Sequence, residues 1–298
     1  MKWPERVKVK EVGPRDGLQN ESRFIPTENK IKWIDQLSLA GFDYIEVTSF
    51  VSSKWIPQLA DAPELAKGIA RFPGVTYAAL VPNQRGLEQA IESGIDEIAV
   101  FMSASETHNR KNINKSIADT FPVLSMVTRE ALSAGKTIRG YISTVFGCPY
   151  EGKVEIDHVI RVADKLFEMG IYELSLGDTI GVANPRQVES MLEVLLKRYP
   201  AERLALHYHD TRGAALANIL VSMQMGITRF DSSVGGLGGC PYAPGASGNV
   251  AAEDMVYCLR EMGIETGIDF DKLLTAARYI QEKLGRTLPS RNLQACPS

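Results

Sequence analysis

The sequence has no run of about 18 consecutive apolar residues, so it offers no membrane-spanning helix. It has no excess of positive charge either. Lys and Arg number 33 against 36 Asp and Glu, a net charge of −3. That balance argues against a nucleic acid or an anionic membrane as partner, because both select a basic field. Cysteine is scarce: Cys148, Cys240, Cys258 and Cys296 form no CxxC pair and no zinc-type spacing. A disulfide scaffold and a structural zinc site are therefore not expected, and reduced thiols in the cytoplasm are the default. The first residues, MKWPERVKVKEV, carry neither a signal-peptide apolar core nor an Arg/Ser-rich transit segment. No GxGxxG follows the first apolar run, where a dinucleotide-binding fold would carry it.

What is present is a regular alternation. Short apolar runs read as strands at Val7–Val12, Tyr44–Thr48, Thr76–Leu80, Glu97–Met102, Thr137–Val145, Tyr172–Leu176, Leu204–Tyr208 and Arg229–Ser232. Helical patterns lie between them, among them Thr27–Ala40, Gln84–Ser93, Ser116–Ala134, Ile156–Met169, Pro185–Arg198 and Ala214–Met225. Four helix ends carry a glycine stop just before the next strand, in LAGFDYIEV, IESGIDEIAV, FEMGIYELSL and SMQMGITRF. Eight strands, each followed by a helix, match a (β/α)8 TIM barrel rather than an open doubly wound sheet. Chemically capable residues also cluster just after the strands, as they do when every βα loop opens on one face. A further helical segment, Asp269–Leu284, and a polar tail follow the barrel. With no linker or composition shift, one domain over 1–298 is expected.

Three constellations stand at strand ends. In EVGPRDGLQNE, Pro14 and Gly17 make a tight turn that holds Arg15 and Asp16 side by side. The pair is either a surface ion pair of little worth or, on a barrel, part of the active-site mouth. In LALHYHD, His207 and His209 are two apart on a strand and project from the same face. Half of the chain's four histidines lie in this HxH, which reads as a metal pair. The third is Ser232–Asn249, SSVGGLGGCPYAPGASGN, in which six of eighteen residues are glycine and Cys240 is central. Asn249 either caps the helix starting near Val250 or turns its amide oxygen inward. If it turns inward, Asp16, His207, His209 and Asn249 supply two oxygens and two nitrogens from neighbouring strand ends. That donor set suits Mg²⁺ or Mn²⁺ better than a structural zinc.

Glu46, near the end of strand two, and Asp178, after strand six, read first as residues that orient a neighbour: Glu46 bracing Arg15, Asp178 a ligand water or histidine. Proton transfer is their second reading. Arg139, Tyr141 and Ser143 share one face of strand five, where Tyr141 is either a polar lining residue or a barrel filler. Cys240 is either a small buried hydrophobe or a reactive thiol, and a Gly/Pro loop offers little core to bury it.

Together GPRDGLQ, HYHD and SSVGGLGGCPYAPGASGNVAAED resemble the 3-hydroxy-3-methylglutaryl-CoA (HMG-CoA) lyases, TIM-barrel relatives of the metal-dependent Claisen-type synthases. The likeness runs over essentially the whole chain. The cysteine-bearing glycine loop is its specific element; RDGxQ and HxH mark the wider superfamily. The loop departs from the usual S-V-A-G-L-G-G-C-P-Y at Gly235, a change expected only to loosen it. The resemblance implies metal ligation by Asp16, His207, His209 and Asn249. It implies Arg15 as the residue that stabilises a thioester enolate, Cys240 as the loop thiol required for catalysis, and Glu46 and Asp178 in support. The implied reaction is retro-Claisen cleavage of HMG-CoA to acetyl-CoA and acetoacetate, with His207 or a metal-bound water as proton relay. Cys240 then works in proton transfer and folds over the metal site as a lid's tip. The absence of a targeting segment suggests a bacterial-type, cytoplasmic member; a homodimer and a place in leucine degradation are further implications. The loop after strand four, SETHNRKNINKS, supplies Arg110, Lys111 and Lys115 as partners for the CoA phosphates or as a solvated basic loop. The competing reading is a Claisen-type synthase or aldolase of the same superfamily, which often carries a C-terminal regulatory domain. A metabolite-sensing barrel without activity is the more distant alternative.

Overall fold

Runs such as EIAVFMS bury both faces at once, as strands of a parallel sheet covered by helices must. The computed structural model describes residues 3–239 and 248–296. Eight strands close into a barrel in chain order: β1 (Lys8–Glu11), β2 (Tyr44–Ser49), β3 (Thr76–Leu80), β4 (Glu97–Ser103), β5 (Thr137–Ser143), β6 (Glu173–Asp178), β7 (Leu204–Tyr208) and β8 (Arg229–Ser232). Every neighbouring pair is parallel, and β8 closes on β1 through the register Lys8↔Arg229 to Glu11↔Ser232. The (β/α)8 expectation holds, with each strand within a few residues of its expected bounds.

The connecting helices are α1 (Thr27–Leu39), α2 (Ala62–Gly68), α3 (Gln84–Glu92), α4 (Glu106–Ile113), α5 (Ile117–Ser133), α6 (Ile156–Glu168), α7 (Pro185–Leu195), α8 (Ala215–Gln224) and α9 (Ala252–Glu261). After them come α10 (Phe270–Leu284), the expected C-terminal helix, and α11 (Arg291–Ala295). The four glycine stops, Gly41, Gly94, Gly170 and Gly226, all have positive φ, between 74° and 100°, which a side chain resists. Asn83, Ser105, Ser116, Asn184 and Asp269 cap helix starts by accepting backbone N–H bonds.

Two segments read as loop or tail are helical. SETHNRKNINKS is not a loop: Ser105 caps it and Asn114 ends it in the left-handed region, so α4 forms between. The polar tail contains α11, whose cap Ser290 and following amides at Arg291 and Asn292 are gathered by the Asp254 carboxylate.

The main apolar core lies between barrel and helices, with Trp33, Leu37, Ile98, Leu174, Leu206 and Phe230 among its fully buried members. The barrel interior, by contrast, is strongly charged. Lys10 and Arg139 donate to Glu173 at 2.6 and 2.7 Å, and Arg139 donates also to Asp231 at 2.7 Å. Among the described residues no helix is long and apolar enough to cross a membrane.

Candidate active site

The GPRDG turn leaves β1 as a single wide turn, Gly13–Gly17, which places Arg15 and Asp16 at the C-terminal mouth of the barrel. Glu11 anchors this turn: its Oε1 accepts the N–H groups of Gly13 (2.8 Å) and Val234 (3.0 Å), tying the β1 exit to the segment after β8. Arg15 is 7 % exposed. Its Nε donates to Glu46 and its Nη1 to Asp16 at 2.5 Å, so the expected bracing by Glu46 is present. Burial alone would weaken the guanidinium's hold on its proton, but Glu46 and Asp16 override it and keep the proton bound far above neutrality. Burial likewise would raise the Asp16 carboxyl, yet Arg15, then His207, bring it down to about 2.

At the end of β7, Nε2 of His207 and Nε2 of His209 approach to 3.2 Å, and Asp16 Oδ2 stands 3.8 Å from His207 Nε2. One donor atom from each of Asp16, His207 and His209 lies within 4.8 Å of the other two. Neighbouring donors around an octahedral ion with bonds of about 2.1 Å are about 3 Å apart, so the three residues fit a divalent cation. Burial, then the nearby His207, lowers His209 to about 4, which keeps its ring neutral and able to ligate near pH 7. Its Nδ1 is buried without a hydrogen-bond partner among the described residues. The three donors thus have the geometry of a candidate metal centre.

Asn249 is not a helix cap, because α9 starts later, after Ala251. It turns inward instead, and its backbone bridges to His209. Its Nδ2 donates to Asp16 Oδ2 at 2.8 Å and to Leu237 O at 3.0 Å. The amide nitrogen therefore faces the centre, and ligation through Oδ1 requires a half-turn of the amide. The glycines around it have a packing reason. A Cβ on Gly248 would come within 2.5 Å of the Gly236 and Gly238 carbonyl oxygens, so the two arms of the loop approach backbone to backbone. Gly235 is more constrained than expected. Its φ is +69°, and a Cβ there would sit 2.3 Å from Leu288 Cδ1. A methyl at this position would collide with the C-terminal segment; the glycine does more than loosen the loop.

A cavity of about 570 Å³ runs from these strand ends to the segment between β2 and α2 and to α4. Tyr141 lines it, but its hydroxyl is already committed: it donates to Glu46 Oε2 at 2.5 Å and accepts from Arg139 Nη1. Lys111 and Lys115 line the cavity, whereas Arg110 does not. The helical turn carries Arg110 out to Glu106, one turn back, where the two form an exposed ion pair at 2.8 Å. Asp178 also departs from expectation. It does not line the cavity, and both its oxygens accept backbone N–H groups, from Val182 at 2.9 Å and Ala183 at 3.1 Å. It braces its own loop; burial pushes its carboxyl up to about 6. Cys240 lies outside the described residues; Gly239 lines the cavity, and its carbonyl accepts from Asn20 Nδ2 at 2.6 Å.

Sequence reasoning passed over His108 and Trp55, which line the cavity, and Asp231, which contacts His207. His108 sits one turn before Lys111 on α4, a spacing that identifies it once α4 is recognised as a helix. His158, on α6, is exposed.

The HMGL-like family model matches residues 6–280. The chain is 64 % identical over 298 residues, all of both chains, to hydroxymethylglutaryl-CoA lyase YngG of Bacillus subtilis. It is 51 % identical over 292 residues to the human mitochondrial hydroxymethylglutaryl-CoA lyase, covering 98 % of this chain and 90 % of that one. The crystal structure of the Bacillus subtilis HMG-CoA lyase superposes with a TM-score of 0.98 over 99 % of both chains. An HMG-CoA lyase from Acinetobacter baumannii, solved with coenzyme A and 3-methylmalate, is 41 % identical with a TM-score of 0.94, covering 99 % of this chain and 96 % of that one. The carboxyl transferase domain of Rhizobium etli pyruvate carboxylase, at 17 % identity and a TM-score of 0.69, shares the fold alone. With a barrel of this topology, a donor set at its mouth and a family match across most of its length, this chain belongs to the HMGL-like family.

Proposed function

We propose that this chain is a divalent-metal-dependent carbon–carbon lyase that cleaves HMG-CoA to acetyl-CoA and acetoacetate. The observation that carries the reading is the meeting of the Asp16, His207 and His209 donors with the Arg15 guanidinium at one end of a cavity lined further out by Lys111 and Lys115. The similarity to the Bacillus subtilis and human lyases supports it.

In the retro-Claisen step the tertiary hydroxyl loses its proton and the bond to the thioester-bearing CH₂ breaks. The hydroxyl carbon becomes the ketone of acetoacetate. The electron pair stays on the CH₂, which takes a proton and leaves as acetyl-CoA. Asp16, His207, His209 and, after a turn of its amide, Asn249 would hold a Mg²⁺ or Mn²⁺ ion. When bound, that ion supplies the Lewis acidity that makes the tertiary hydroxyl acidic. Arg15 meets the thioester oxygen as negative charge develops there. Among the described residues its Nε and one Nη1 hydrogen are held by Glu46 and Asp16, which leaves Nη2 and the second Nη1 hydrogen as donors for the substrate. A charge fixed in this way needs no reorganisation when the enolate forms. Cys240 exchanges a proton with the reacting carbon, since a thiol with pKa about 8.5 does so near neutral pH. Lys111 and Lys115 meet the CoA phosphates, and Glu46 and Asp178 act by positioning. The same reading takes the chain as one catalytic domain over 1–298, a cytoplasmic homodimer working in leucine degradation.

The test is to supply purified protein with Mg²⁺ or Mn²⁺ and HMG-CoA and to assay acetoacetate. Acetoacetate formed in step with acetyl-CoA is expected. No acetoacetate, with consumption of acetyl-CoA and a 2-oxo acid instead, would establish the condensing alternative.

A further inference from the structure

β8 is short, and in its sequence, RFDS, the charged residues stand at alternate positions. Arg229 and Asp231 therefore face the same side, into the barrel. Across the β7–β8 pair, Asp231 is the register partner of His207. The carboxylate is 2 % exposed and receives three donors. Its Oδ1 accepts from Arg139 Nη2 at 2.7 Å, and its Oδ2 accepts from Ser175 Oγ at 2.9 Å and lies 3.2 Å from His207 Nδ1. A buried carboxylate against a guanidinium is ionised, and an ionised carboxylate can only accept. The ring nitrogen facing it must then carry hydrogen. In a neutral imidazole the other nitrogen is bare. That nitrogen, Nε2, is the one that stands 3.2 Å from His209 Nε2 and 3.8 Å from Asp16 Oδ2.

We propose that Asp231 is the positioning residue of the metal centre: held by Arg139 and Ser175, it takes the Nδ1 proton of His207 and presents Nε2 as a bare donor beside Asp16 and His209. The proposal rests on the reading of those three residues as metal ligands. Charge neutralisation of Arg139 does not account for Asp231 by itself. Glu173 already accepts Arg139 Nε at 2.7 Å, and the second Asp231 oxygen lies closer to Ser175 Oγ (2.9 Å) and His207 Nδ1 (3.2 Å) than to the guanidinium, whose Nη1 reaches it only at 3.4 Å.

The contact is also one link of a closed circuit. From Asp231 it passes through Arg139, the Tyr141 hydroxyl and Glu46 to Arg15, then through Asp16 back to His207. One guanidinium, Arg139, thus supports both the arm that orients His207 and the arm that orients Arg15. Metal-ligating histidines held in this way lose roughly 10- to 100-fold in metal affinity when the outer carboxylate is removed.

Two measurements test this. In the first, metal-stripped wild-type protein and the Asp231→Asn variant are titrated with Mn²⁺, with calorimetry or the electron-spin resonance of free Mn²⁺ as readout, and thermal unfolding of each stripped protein is recorded. The expected result is a Mn²⁺ Kd roughly 10- to 100-fold higher in the folded variant. A folded variant with unchanged Kd overturns the proposal, because a purely structural role would lower the melting temperature and leave Kd alone. Wild-type protein that binds no Mn²⁺ removes the metal-centre reading and this proposal with it. Mn²⁺ binding without acetoacetate formation leaves the proposal standing and refutes only the lyase. The second measurement needs no variant: long-range ¹H–¹⁵N spectra of stripped wild-type protein, taken at alkaline pH once the His207 ring shows a single protonated nitrogen. His207 protonated on Nδ1 is expected; protonation on Nε2 overturns the proposal even if Asp231→Asn does not fold.

Discussion

Tyr141→Phe deletes one oxygen atom from the middle of the buried circuit and changes no shape. The hydroxyl donates to Glu46 Oε2 at 2.5 Å and accepts from Arg139 Nη1. Without it the Glu46 Oε2 keeps no described partner, and Arg139 Nη1 falls back on Asp231 Oδ2 at 3.4 Å. Hydrogen bonds to charged groups contribute about 1.5–3 kcal/mol each, and a buried charged group left unpaired costs at least as much. One bond lost outright and one partly replaced put the destabilisation at about 3 kcal/mol. With an unfolding entropy of about 2.1 cal/mol/K per residue, each kcal/mol lowers the melting temperature of this 298-residue chain by about 1.6 °C, so a fall of roughly 5 °C is expected for the metal-stripped protein. KM for HMG-CoA stays near the wild-type value, because the hydroxyl is occupied within the protein, while kcat falls as Arg15 loses part of its anchorage. Calorimetric melting and steady-state kinetics on the same preparation decide the matter. A melting temperature within about 1 °C of wild type together with a raised KM would refute the reasoning and make the hydroxyl a substrate contact.

Glu253 is fully buried and accepts the Gly235 N–H with both oxygens, at 2.9 and 3.0 Å; burial pushes its carboxyl up to about 7. The folded state therefore binds this proton more tightly than the unfolded chain. Stability falls as pH rises from about 4.5 to about 7, by up to about 3 kcal/mol, and melting curves of Glu253→Gln between pH 5 and 8 should show a shallower decline. Gly235→Ala drives a methyl into Leu288 and holds it at positive φ. A loss of about 2–4 kcal/mol is expected, with Leu288→Val recovering part of it in the double variant, read by melting temperature. Lys111→Glu should raise KM for the CoA substrate several-fold with kcat little changed, while Arg110→Glu, outside the cavity, should leave both near wild type. His209→Ala should abolish stoichiometric Mn²⁺ in elemental analysis of the loaded protein while preserving the fold by circular dichroism.

The barrel was legible because its signals are local. A glycine forced to positive φ at a helix end, or a run of apolar residues between polar helices, acts within a few residues of itself, as Gly94 and Gly170 do. Asp16, His207 and His209 were legible for a related reason: each stands in a short motif at a strand end, and barrel closure brings strands one and seven within reach of each other across β8. Glu46 beside Arg15 followed from the same adjacency of β1 and β2.

Local pattern does not carry the remaining features. Arg110 and Lys111 are consecutive, yet a helical turn capped by Ser105 sends one to solvent and the other to the cavity. Asp178 sits at the expected strand end, but its oxygens are saturated by amides four and five residues onward, a choice made by loop geometry. Asp231 and Arg139 are 92 residues apart and look like ordinary strand positions until the barrel closes. The sequence by itself determined the alternation of strand and helix, the donor types at the barrel mouth and the glycines of the loop, since these depend on backbone preference and side-chain chemistry. Only the tertiary structure decided which buried charges neutralise one another, which way His207 is turned, and that Leu288 fills the space beside Gly235. Those outcomes depend on distances between distant segments in a dry interior, where each ionised group has to find a partner.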